Sequence, residues 1–215
     1  MTRRLVHLIF GLVLFGAGVG LLIRAEIGVA PWDVLSQGLV RVTGWSFGAI
    51  TVALGVLVML LWIPLRQRPG AGTLLNILLI GPVADLVSHL LPLGLPLVAR
   101  IGLFAGGLLA IAIGSGLYIG ARLGPGPRDG LMTGLNERFG WPVWAARTAI
   151  EASVLLVGWL LGGNAGIGTL AFALLIGPLC NVFIPLLTVP EPARPPAPPA
   201  RHEPPCPPDP DPLTA

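Results

Sequence analysis

A chain of 215 residues that is 54% hydrophobic and only 11% charged, with 30 glycines, is too apolar for a soluble globule. Its net charge of +3, carried by 13 arginines and no lysine, is too small and too scattered for a nucleic-acid surface. Cys180 and Cys206 have neither paired nor metal-ligand spacing, and His7, His89 and His202 are dispersed, so neither a disulfide framework nor a metal site is expected.

The opening "MTRRLVHLIFGLVLFGAGVG" has the basic start and apolar run of a secretory signal. It also takes part in an internal repeat, so it is read as a first transmembrane span over residues 5–23. "GVAPWDVLSQGLVRVTGW" (28–45) follows. It predicts a helix over 31–43 that is too short to cross, with Pro31 at the first helical position, Asp33 in the first turn and Gly44 closing the end. Further spans are expected over 46–65, 73–91, 98–120, 142–162 and 168–188. Each is long enough for a ~30 Å hydrocarbon layer at ~1.5 Å per residue. "GPGPRDGLMTGLNERFGW" (124–141) interrupts them with a second short helix over 127–139, opened by Pro127 and Asp129 and closed by Gly140. Beyond residue 189 the chain holds 12 of its 23 prolines and no apolar stripe, as in a disordered cytoplasmic tail.

The two short helices are one motif used twice. Aligned at an offset of 96 residues, 27 of the 65 pairs from Gly18/Gly114 to Pro82/Pro178 are identical without a gap. The fold class is therefore all-α: a polytopic membrane protein with six transmembrane helices in two repeats, 1–96 and 97–188, plus a tail over 189–215. Three crossings per repeat is odd, so the second copy should sit inverted. The arginines agree. With the N-terminus inside, Arg3, Arg4, Arg66, Arg68, Arg122, Arg128 and Arg138 fall at cytoplasmic loops, against Arg24, Arg41 and Arg100 outside. The six tryptophans, near span ends, read as an aromatic belt.

Several polar residues stand out against this background. Asp33 and Asp129 each complement a helix dipole, or line a site between the repeats, where short helices in transporters aim their ends at substrate or ion. Arg147 and Glu151 lie four apart within a span, where charge is costly unless paired and turned inward. Their counterparts 96 residues earlier are Thr51 and Gly55, so this pair breaks the repeat. Asp85 and Asn181 are counterparts just past an Ile-Gly-Pro kink. Arg24 reads as an interfacial side chain or a charge at a cavity mouth. Glycines at 16/20 and 116/120 have the spacing that lets helices approach closely. "GAGVG" has no strand before it and "GSG" has no histidine base, so neither a dinucleotide nor a protease reading stands.

The stretches "GVAPWDVLSQGL", "TGWSFGAITVALG", "LLWIPLRQRPGAGTLLN" and "GPVADL" resemble the YczE-type bacterial membrane proteins, which are related to the YitT family. The resemblance spans about residues 5–188 and implies a multi-span inner-membrane protein; it assigns no catalytic residue. The function expected is that of a small secondary transporter with a site between the repeats. The alternative is a non-transporting scaffold or regulatory partner. The expected partners are the lipid bilayer and a small molecule, not nucleic acid, and a homodimer stays open. No cofactor and no enzymatic activity are expected, and both termini are expected in the cytoplasm.

Overall fold

The computed structural model describes residues 2–189, and every described element is helical. In chain order these are α1 (Thr2–Ala25), α2 (Pro31–Thr43), α3 (Phe47–Leu65), α4 (Ala71–Leu90), α5 (Leu97–Gly120), α6 (Pro127–Phe139), α7 (Val143–Leu160) and α8 (Ile167–Leu187). Six of them are long and apolar enough to cross a membrane. The other two, α2 and α6, have the bounds that Pro and Gly dictate. Proline opens each, because its missing N–H would be unpaired there anyway. Gly44 and Gly140 end them in the left-handed region, at φ 73° and 70°, and return their N–H to Val40 O and Asn136 O.

Glycine sets the packing at the centre. A Cβ on Gly18 would lie 2.7 Å from Gly107 O, and one on Gly114 2.7 Å from Gly11 O, so α1 and α5 run antiparallel at backbone contact. The Gly16/Gly20 spacing seats α1 on α4, where Cβ atoms would fall 2.8 Å from Ile80 O and Ala84 O. Gly116 and Gly120 seat α5 on α8 in the same way. Without a hydrophobic drive between spans, such close approach is how membrane helices gain packing energy. The short helices lie against the remaining spans, α2 on α7 and α6 on α3.

Residues 96 apart behave alike. Gly28 and Gly124 have φ of 127° and 126°, and Glu26 and Arg122 both sit left-handed at 55° and 54°. Gly168 N–H donates to Ile27 O at 2.8 Å, and Gly72 N–H to Leu123 O at 2.9 Å. Each of these bonds ties the start of one half's last span to the loop of the other half.

The tryptophans correct the belt reading. Trp45, Trp141, Trp144 and Trp159 are exposed, but Trp32 and Trp62 are buried in the bundle. Trp62 fits because the α6 residue beneath its ring is Gly130, which leaves room for it. The proline-rich tail, with Cys206 and His202, lies outside the described residues.

Candidate functional site

A cavity of ≈ 350 Å³ opens where the starts of α2 and α6 converge, walled by α1, α3, α4, α5, α7 and α8. Pro31, Asp33, Pro127 and Asp129 all line it, so both Pro-x-Asp corners face one space. Asp33 is 3% exposed. Its Oδ1 lies 3.6 Å from Arg128 Nη2, an ion pair beyond hydrogen-bond length. The Arg128 guanidinium also sits 5.0 Å over the Trp32 ring, a cation–π stack. Burial holds the Asp33 carboxyl above its usual range, and Arg128 offsets only part of that rise. Asp129 is exposed toward the cavity and accepts a hydrogen bond from Tyr118 OH at 3.2 Å. Trp62 Nε1 donates to Pro127 O at 3.1 Å and so fixes the start of α6. Among the described residues, neither carboxylate accepts a hydrogen bond from a backbone N–H of its own first turn.

Arg147 and Glu151 line the same cavity from α7, paired at 3.0 Å. Their side chains are 56% and 31% exposed, so the pair sits at the cavity's opening and not deep in the bundle. Asn181 joins them from α8. Asp85 and Arg24 do not belong to the site. Asp85 Oδ2 accepts from Gly48 N–H at 2.8 Å and binds α3 to α4. Arg24 donates to Ser88 O and braces α1 on α4. His89 Nδ1 is 2.7 Å from Asp85 O. Among the described residues no three His, Cys, Asp or Glu side chains are grouped to hold a metal.

Arg128, counted among the cations on or near cytoplasmic loops, also turns out to line the cavity. It is the second residue of α6, and that helix start is turned into the bundle. The sequence did carry a signal: the counterpart of Arg128 is Trp32, and the two stack on each other. Trp32, Thr51, Asn76 and Tyr118 also line the cavity, and the sequence marks none of them as a site residue. Each reads as an ordinary apolar or polar residue of its helix until the helices are brought together.

A model of the family described as "Family of unknown function (DUF6198)" matches residues 2–185. The chain belongs to that family. An uncharacterized protein of Haemophilus influenzae is 40% identical over 177 residues, covering 82% of this chain and 81% of that protein. The Bacillus subtilis "Uncharacterized membrane protein YczE" is 34% identical over 177 residues, covering 81% and 82%. The "Uncharacterized protein YyaS" of the same organism is 27% identical over 182 residues, covering 82% and 90%. No solved structure matches. The family relation and the six apolar helices make the chain a multi-pass membrane protein of the YczE kind.

Proposed function

We propose that this DUF6198 member is a small secondary transporter whose substrate site is the cavity between α2 and α6. One observation carries the reading: a cavity with charged side chains in its lining lies at the meeting point of two short, Pro-opened helices. A scaffold would gain nothing from turning the charged side chains of Asp33, Arg128 and Asp129 into a space within the bundle, because charge taken into a membrane protein's interior is costly to keep. The two halves are read as inverted repeats. Antiparallel α1 and α5, and glycine contacts that exchange partners at an offset of 96 residues, support a twofold axis in the membrane plane. With the termini cytoplasmic, α6 then lies toward the cytoplasm and α2 toward the outside. Reporter fusions at Gly70 and Gly163 should report opposite faces, and a common face would remove the inverted arrangement.

Asp33→Asn and Asp129→Asn test the function. Both keep the side-chain shape, so membrane abundance should hold. Growth of a deletion strain on a panel of toxic compounds should be restored by the wild type and not by either variant. Both variants restoring growth fully would leave the carboxylates without a role in transport.

A further inference from the structure

Two buried hydrogen-bonding side chains of the cavity have no partner within the protein. Among the described residues, buried side-chain donors or acceptors without a partner are three: His7 Nδ1, Trp32 Nε1 and Thr51 Oγ1. Trp32 and Thr51 both line the cavity, at 7% and 9% exposure. The rest of the molecule shows how unusual this is. Its other buried tryptophan, Trp62, places its N–H on a backbone carbonyl. Other hydroxyls on helices bond back one turn: Ser36 to Trp32 O, Thr148 to Trp144 O and Ser153 to Ala149 O. Thr51 makes no such bond. Arg128 adds a third set of donors, since its guanidinium meets Asp33 only at 3.6 Å and otherwise lies over the Trp32 ring.

An indole N–H, a hydroxyl and a guanidinium left open on one cavity call for an oxygen acceptor. Charge adds a second requirement. The lining carries three carboxylates, Asp33, Asp129 and Glu151, against two guanidiniums, Arg128 and Arg147. Arg128 pairs with Asp33 and Arg147 with Glu151, so Asp129 is the carboxylate that meets no guanidinium among the described residues. A simple anion would satisfy the donors and be repelled by Asp129. A simple amine would do the reverse.

We infer that the cavity binds an amino-acid-like zwitterion, its carboxylate held by Trp32 Nε1, Thr51 Oγ1 and Arg128, and its ammonium by Asp129. The apolar part of the ligand packs on the lining Phe15, Ile80, Ile111 and Phe172. This assignment rests on reading the cavity as the substrate site.

The experiment uses the full chain as Cys206→Ser, in which Cys180 is the one remaining cysteine and lines the cavity. A charged thiol reagent reports access to Cys180, and three probes of matched shape compete with it: L-phenylalanine, 2-phenylethylammonium and 3-phenylpropionate. Phenylalanine should slow labelling and raise Tm in detergent at concentrations at least about tenfold lower than either half-probe, the scale of one charge-assisted hydrogen bond. Trp32→Phe keeps the ring under Arg128 and removes only the N–H; Thr51→Val keeps the shape and removes the hydroxyl. Each should weaken phenylalanine protection by about tenfold or more while the unliganded Tm stays level or rises, because an unpartnered buried donor has been deleted. Equal protection by 2-phenylethylammonium, protection undiminished in both variants, or no protection by any probe would overturn the zwitterion assignment. If Cys180 reacts in those cases, the cavity reading survives. Cys180 unreactive in the folded protein yet reactive when denatured would remove both.

Discussion

α3 and α4 close on each other along their length, whereas α7 and α8, the same two spans 96 residues later, scarcely touch. The residues at the two seams explain the difference. In the first half Gly48, Gly55 and Gly81 bring backbones together; a Cβ on Gly81 would fall 2.8 Å from Gly48 O, and one on Gly55 2.8 Å from Ile77 Cγ1. Asp85 then accepts the Gly48 N–H and seals the seam. In the second half the counterparts of Gly48, Thr51, Gly55 and Asp85 are Trp144, Arg147, Glu151 and Asn181. Gly177, the counterpart of Gly81, has nothing within 4 Å of a built Cβ. Asp33 and Thr51 are buried, while Asp129 and Arg147 are exposed. A duplicated unit thus holds its cavity shut at one seam and open at the other, by exchanging small residues for large and charged ones. Under the proposed function this is one of two end states, with access on the α6–α7–α8 side.

Substitutions at matching positions should therefore have unequal effects. The largest difference is expected at the kink glycines. Gly81→Val forces a branched side chain into the Gly48 backbone and should destabilise by about 2–3 kcal/mol or more, with loss of membrane-integrated protein. Gly177→Val should stay within about 0.5 kcal/mol, as for a surface site. Equal losses on a thermal-melt assay would mean the α7–α8 gap is closed in the protein as it exists.

A smaller contrast is expected one turn on. Asp85→Leu leaves the Gly48 N–H without its acceptor and should cost about 1–3 kcal/mol. Asn181→Leu, facing the cavity, should leave the melt nearly unchanged. The smallest effect belongs to the charge pair at the opening. Glu151→Gln should change stability by less than about 1 kcal/mol, since exposed ion pairs are worth little. A loss well above that would place the pair in a closed seam like its counterparts.

Much of this was legible in the sequence. Proline and glycine punctuation gave α2 and α6 their bounds, because cap and first-turn chemistry is local. Apolar runs gave the six long helices for the same reason. The repeat brought Asp33 and Asp129 to attention together. What the sequence did not reveal lies in relations between helices. Arg128 was counted only as a cation on or near a cytoplasmic loop, because charge bias reads position along the chain, not the direction in which a helix start points. Trp32 and Thr51 look like belt and packing residues until their missing partners are seen. Asp85 and Asn181 look equivalent as counterparts, yet one seals a seam and the other lines an opening, because Gly48 brings its N–H to the first, whereas the second half has Trp144 in the place of that glycine.

The central claim is a water-reachable cavity between the two halves, entered past Asp129, Arg147 and Asn181. Its most direct measurement is the rate at which a charged, membrane-impermeant methanethiosulfonate modifies Cys180 in the Cys206→Ser protein, against a control with Cys180→Ser and Ala84→Cys. Ala84 is fully buried at the α1–α4 contact. The account predicts modification of Cys180 at least about tenfold faster than of the control. Equal, negligible rates in the folded state, with both thiols reacting after denaturation, would contradict it.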